Sequence, residues 1–363
     1  MNRRWVCNDV WMDILPCFDR PQLGLKLALL SPRFNALVDK HFDGKSELTI
    51  WKSIVIRHKD KGSEPKLYVL FDDGFVEFPL PDRLLPSKIR FDSIQIEYID
   101  HSVIAFLCSN QKIFDKRGTN LQLLISLSHN MDGQRIFHDI WPIFSANIRH
   151  LGFVNGVDLD HLRRLISPTI LTDLNQLNSI NLYGRFPAAI GDDFDVPNAT
   201  ISGGQALSKW LHSPRKDGQP KRMFCLDHNE QTDFEWINNF KKHFLRANAI
   251  SSVSYQIHFS VRSPSTQMVP FKLVNEWTKE KLTLTKENEN DLEDNSWIMK
   301  RCKIGEAGDV QLQKDENWGN NFNNVSIWLF STDCIGPLSP PPAEEEQEAG
   351  QSITKGPSSA DNE

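Results

Sequence analysis

The sequence predicts a mixed α/β chain: a small N-terminal helical module, a long strand–helix alternation with a mainly parallel sheet, an antiparallel β module, and a polar tail. Three observations carry this. Apolar residues in the first forty positions recur at helical spacing between proline and serine breaks. From about Ser87, strand-like and helix-like runs alternate with strand starts about 30 to 40 residues apart. After Pro264 the spacing changes to a period of two.

Residues 1–45 form the helical module. Asp9 is placed to cap a first helix on which Val10, Ile14 and Phe18 fall at i, i+4 and i+8, with Trp11 and Leu15 beside them. Pro16 lacks a backbone donor and bends or ends that helix. Pro21 suits the first turn of a second helix, whose apolar face is Leu23, Leu27 and Leu30. Ser31-Pro32 repeats the device as a cap and a first helical residue, and Phe34, Leu37 and Val38 supply the third stripe. Three such helices enclose one small apolar centre and carry more apolar surface than about forty residues can hide. A partner, or the rest of the chain, must cover the remainder.

The segment Val6 to Val38 resembles an F-box. The run Leu30-Ser31-Pro32-Arg33-Phe34-Asn35-Ala36-Leu37-Val38 matches that family's closing signature, whereas Val6-Cys7 stand where Leu-Pro is usual and Pro16-Cys17 where Ser-Phe is usual. The resemblance implies docking on a Skp1-like adaptor of a cullin ubiquitin ligase while the rest of the chain holds a protein substrate. Matched residue by residue, it places Val6, Cys7, Val10, Ile14, Leu15, Leu29, Leu30, Arg33 and Phe34 at or next to that contact, with the apolar members as the favoured hot spots.

Residues 46–262 are expected to form the α/β array, opening with a hairpin over 46–80. The runs Leu48 to Ile56, Lys66 to Phe71 and Phe75 to Phe78 favour strands, and Asp73-Gly74 between two of them is a hairpin signal. Strands then follow at Ile89 to Tyr98, Leu121 to Ser126, Ile148 to Val154, Leu177 to Tyr183, Arg222 to Leu226 and Val253 to Phe259. Helical patterns between them include Val103 to Leu107, Ile136 to Phe144, Leu159 to Ile166, Ala206 to Leu211 and Phe234 to Leu245. Each unit exposes apolar faces that only its neighbours can cover, so the units are expected to stack. Leu174 to Leu182 has the Leu-x-x-Leu-x-x-Ile-x-Leu flavour of a leucine-rich repeat, which gives an irregular leucine-rich-like repeat array; a doubly wound α/β domain is the alternative.

Residues 263–335 read as an antiparallel module built from Phe271 to Asn275, Lys281 to Thr285, Trp297 to Ile304 and Val325 to Phe330. The run from Phe271 through Ile304 resembles the C-terminal region of expanded nematode F-box families. Residues 336–363, with Pro340 to Pro342 and Glu344 to Glu346, have too few apolar residues to offset the entropy of ordering and read as a disordered acidic tail.

With 39% hydrophobic and 24% charged residues over 363 positions, the chain can bury a substantial core. Its net charge of -6 argues against life on nucleic acid. No uninterrupted apolar stretch approaches the roughly 18 residues that span a bilayer. Six cysteines lack Cys-x-x-Cys or disulfide spacing, so a cytoplasmic or nuclear location is expected.

Catalytic motifs are not found. Gly203-Gly204 before a helix, with Ser202 in front, fits a capped helix start better than a phosphate loop. Cys225 and His228 have ligand-like spacing without a second pair. Asp192, Asp193 and Asp195 lack the rest of a calcium loop. No catalytic residue, metal or cofactor is assigned. Two readings remain: a non-catalytic adaptor whose partners are a Skp1-like protein, the cullin complex and an unknown protein substrate, or an interaction scaffold with no ligase link, the helical corner serving as a cap. A small-molecule enzyme of the α/β type is a distant third.

Overall fold

The computed structural model describes residues 6–19, 22–43, 49–60, 63–71, 74–82, 84–86, 89–111, 118–125, 131–153, 159–183, 202–226, 235–248, 253–260, 268–287, 296–305, 323–329 and 331–338. Their strands form one sheet: β1 (Thr49–His58), β2 (Pro65–Phe71), β3 (Gly74–Pro79), β4 (Ile89–Ile96), β5 (Thr119–Ile125), β6 (Ile148–Phe153), β7 (Ser179–Tyr183), β8 (Lys221–Leu226), β9 (Tyr255–Ser260), β10 (Phe271–Asn275), β11 (Glu280–Lys286), β12 (Ser296–Lys303) and β13 (Asn323–Leu329). Among the described residues the helices are α1 (Asn8–Ile14), α2 (Ala28–Leu30), α3 (Pro32–Asp43), α4 (His101–Ser109), α5 (Met131–Ser145), α6 (Leu159–Leu165), α7 (Ile170–Asp173), α8 (Gly203–Leu211) and α9 (Glu235–Arg246).

The sheet runs in the order β10-β11-β12-β9-β8-β7-β6-β5-β13-β4-β1-β2-β3. Strands β4 to β9 keep chain order and pair in parallel, with one insertion. A strand order that advances one way through crossovers of one hand keeps its helices on one face. Consistently, α4, α5, α6 and α8 pack side by side in sequence. The expected strand–helix alternation is present, and α7 is an additional short turn that its four residues could not announce.

One lateral row shows why this face is covered. Val69, Ile54, Ile94, Val325, Leu121, Leu151, Ile180, Met223, Ile257, Met299 and Leu284 stand opposite one another across eleven strands. All are buried in a single core with Phe137, Leu162, Leu207 and Phe240 from the helices. The expected antiparallel module is corrected in one strand. Strands β10, β11 and β12 form a meander that extends the same sheet through an antiparallel β12–β9 pair. Residues 323–329, however, leave it and insert in parallel between β4 and β5, where Asn120 Nδ2 donates to Asn324 Oδ1 at 2.9 Å.

The chain past β13 is held as well. Gly336 N–H donates to the Ile99 carbonyl at 2.8 Å, and His101 N–H donates to that of Pro337 at 2.9 Å. Gly336 lies so close that a Cβ there would fall on Tyr98 Oη. Residues 336–338 of the expected tail are placed against the β4–α4 junction in this way, and its acidic run lies outside the described residues.

Caps and buried polar groups fix the helices. Asp100 accepts from the Ser102 and Val103 amides at the start of α4, and Ser202 with Gln205 forms a capping box on α8. Asn275 donates to the Phe244 and Ala247 carbonyls at the end of α9, both at 2.8 Å. Beside it, Arg301 Nη2 donates to Glu280 Oε2 at 2.6 Å, both side chains buried. Losing either partner of such a pair costs about 3–5 kcal/mol, because it strands the other charge.

Candidate functional site

The N-terminal helices carry five exposed apolar side chains among the described residues, Val6, Val10, Ile14, Phe18 and Leu30. Helix α1 begins two residues earlier than expected, with Cys7 rather than an acidic side chain at its cap, while Asp9 sits in the first turn. Asn8 is engaged elsewhere: its Oδ1 accepts from Arg33 Nε at 3.0 Å and Nη2 at 2.7 Å, and the same Nη2 donates to the Val6 carbonyl at 2.6 Å. Arg33 thus staples the start of α1 to the start of α3. Ser31 Oγ accepts from the Phe34 amide at 3.3 Å, so the expected cap is present.

Inside the module, Leu15, Leu23, Leu25, Ala28, Leu37, Val38 and Phe42 are buried and continuous with the core of the sheet. The second helix opens with a wide turn in which the Ala28 amide donates to the Leu23 carbonyl, five residues back. Trp11 meets the edge of Phe34 at 4.8 Å between ring centroids, nearly perpendicular. Trp11 and Leu15 therefore form the inward side of α1 and its continuation. The outward side is Val6, Val10 (47% exposed), Ile14 and Phe18, four residues apart along the chain, joined by Leu30 at 65%.

Of the nine residues assigned to the partner contact, Val6, Cys7, Val10, Ile14 and Leu30 are exposed, and Leu29, Arg33 and Phe34 are half-buried. Leu15, at 0% exposure, belongs to the packing beneath the exposed residues rather than to the surface itself. Phe18 is the exposed residue that assignment omitted; its place in the i, i+4, i+8 series was the available signal.

The second surface is the sheet face away from the helices. Its central row reads Ser53, Ser93, Asn324, Asn120, His150, Ser179, Arg222, Gln256, Lys300, Thr283 and Lys272, polar at every strand from β1 to β10. Beside it, Phe224 stacks on His258 at 4.8 Å and 18°. Burial, aided by the Arg222, Arg149 and Arg215 guanidinium groups, pulls His150 down to about 4, so it is neutral at pH 7. Burial also lowers His258, against the opposing pull of Glu287 at 3.8 Å.

The Cys108 thiol is raised by burial and by Asp139, the opposite of an activated nucleophile. Among the described residues, no three His, Cys, Asp or Glu side chains converge on a possible metal position. At the start of α8 the Asp160 carboxylate stands 3.1 Å from where a Gly203 Cβ would be, so that helix terminus already faces an anion. Cys225 is buried, while His228, Asp192, Asp193 and Asp195 lie outside the described residues. No described helix is long and apolar enough to cross a membrane. No family model, no curated protein and no solved structure matches the chain.

Proposed function

We propose that this chain is a substrate-recognition adaptor. Its N-terminal helices, an F-box by resemblance, dock on a Skp1-like subunit of a cullin ubiquitin ligase in the cytosol or nucleus. The sheet face away from the helices, read as that of a leucine-rich-like array, holds the protein to be ubiquitinated. The chain performs no chemistry itself; other subunits transfer ubiquitin to a substrate held close by.

The observation that carries this reading is the exposed apolar stripe Val6, Val10, Ile14, Phe18 and Leu30 on a module whose interior is already filled by other residues. Scattered single apolar residues need no explanation, but a cluster held in register by an arginine staple has the makings of an interface. Covering each half-exposed side chain is worth about 1 kcal/mol, enough in sum to matter against the cost of association.

The test is co-purification of a Skp1-like protein with the full chain. Val10→Asp and Ile14→Asp, both on the outward side, are expected to abolish it while leaving the circular dichroism spectrum unchanged; association retained in both variants contradicts the reading. Phe34→Asp is a poor probe, because Phe34 buttresses Trp11 and its loss disturbs the module itself.

A further inference from the structure

The sheet ends on β10, and the β10–β11 turn carries Trp277, at 80% the most exposed large apolar side chain among the described residues. The turn is held from both sides. Asn275 Oδ1 accepts from the Trp277 and Thr278 amides, and its Nδ2 donates to the Phe244 and Ala247 carbonyls at the end of α9. From β12, the Ile304 amide donates to the Lys279 carbonyl at 2.9 Å. These bonds set three more exposed apolar residues around Trp277: Leu245 in the last turn of α9, Val274 on β10 and Ile304 after β12. Single exposed apolar residues are ordinary, whereas four around one fixed turn call for a cover.

Cations surround them. Lys272 precedes Val274 by two residues and so shares its face, and Lys281 stands opposite Val274 on β11. Lys242 and Arg246 flank Leu245 on the exposed side of α9. The carboxylates of the turn are already matched: Glu276 pairs with Lys279 at 3.2 Å, and Glu280 is buried against Arg301. Protection of the sheet edge would account for Lys272, but not for cations on the helix or for a bare tryptophan at the turn.

A protruding apolar tip ringed by cations suits a surface that is anionic outside and apolar beneath. A lipid bilayer offers both within the depth of one side chain, with a boundary between them where the amphipathic indole of tryptophan settles. The net charge of -6 is spread over the whole chain and screened beyond about 8 Å, whereas these cations stand at the contact. Nucleic acid would meet the cations and stack on Trp277, but it leaves Leu245, Val274 and Ile304 uncovered. A second copy of this edge brings the same cations into repulsion.

We propose that the β10–β11 turn docks the chain on the surface of an anionic lipid bilayer. Trp277 and its three apolar neighbours enter the headgroup layer, and the four cations around them meet lipid charge. Lying on a surface in this way requires no spanning helix. The site is separate from the N-terminal stripe and stands whether or not that stripe binds an adaptor.

The experiment is co-sedimentation of the full chain with vesicles of equal parts phosphatidylserine and phosphatidylcholine. The chain is expected to pellet with them, less so as salt rises, and to stay in solution with phosphatidylcholine alone. Trp277→Ala should weaken binding about tenfold, and Lys272→Gln or Lys281→Gln about fivefold each, the share of one cation near an anionic surface. Leu30→Ala, on the N-terminal stripe, should leave binding intact. These side chains are exposed or half-exposed, so the circular dichroism spectrum of each variant should match that of the parent chain. No binding, equal binding to phosphatidylcholine alone, or equal loss with Leu30→Ala overturns the proposal. So does tighter binding of a single-stranded oligonucleotide than of the vesicles, or a concentration-dependent dimer lost with Trp277→Ala, since the tip would then serve nucleic acid or a second copy.

Discussion

At the residue scale, the histidines of the core set a pH limit. His150 is held to about 4 by burial and three neighbouring arginines. His212 is held to about 3, by burial first and then by Arg301, with its ring enclosed by Phe240, His243 and Tyr255. Both folded values lie below the ordinary 6.5, so the unfolded chain takes up protons that the folded chain refuses. Stability is then complete above pH 6.5 and falls as the pH drops toward 4, by about 1.4 kcal/mol per pH unit for each residue. Urea unfolding between pH 7 and 5 should show this decline, and His150→Asn should flatten it by about one residue's share; an unchanged slope contradicts the assignment.

The same scale shows where sequence reading runs out. Val10, Trp11, Met12, Ile14 and Leu15 surround a helix of seven residues, and with apolar side chains on every side no periodicity says which pair turns inward. The structure turns Trp11 and Leu15 in, leaving Val10 and Ile14 outside. Arg33 was legible as part of a closing signature, but not as a staple, because its partners Asn8 and the Val6 carbonyl are 25 and 27 residues away.

At the scale of elements, strands and helices were legible wherever local chemistry decided them. Asp-Gly marked the β2–β3 hairpin, where Gly74 adopts a φ of 116° open chiefly to glycine, and Ser202 and Ser31 marked helix starts. The position of β13 was not legible. Val325, Ile327 and Leu329 alternate with Asn324, Ser326 and Trp328 as in any half-buried strand, and alternation names neither the neighbouring strand nor its direction. The Asn120–Asn324 contact that fits it between β4 and β5 joins residues 204 positions apart.

Asn275 illustrates how one side chain ties elements together. Its amide donates to two carbonyls at the end of α9, while its oxygen accepts from the Trp277 and Thr278 amides in the following turn. Asn275→Ala leaves these groups without a partner and should cost about 2–4 kcal/mol in urea unfolding. Asn275→Asp keeps the acceptor, loses the donors, and should fall between; a loss below about 0.5 kcal/mol for Ala contradicts the bridging role.

At the scale of the molecule, one sheet carries two unlike surfaces. The face toward the helices is an apolar row running through eleven strands, and the opposite face is polar and, in its outer half, basic. The N-terminal helices join the same core and leave their own apolar stripe outside it. This division explains why the overall α/β class could be read from patterning alone, whereas the recognition face depends on lateral register, which no local pattern encodes.

The central claim is that a second polypeptide covers the stripe of Val6, Val10, Ile14, Phe18 and Leu30. Amide hydrogen exchange of the full chain, with and without a purified Skp1-like protein, tests it most directly. The account predicts added protection over residues 6–18 and 29–34 with the sheet unchanged; no added protection there, or protection confined to the sheet, contradicts it.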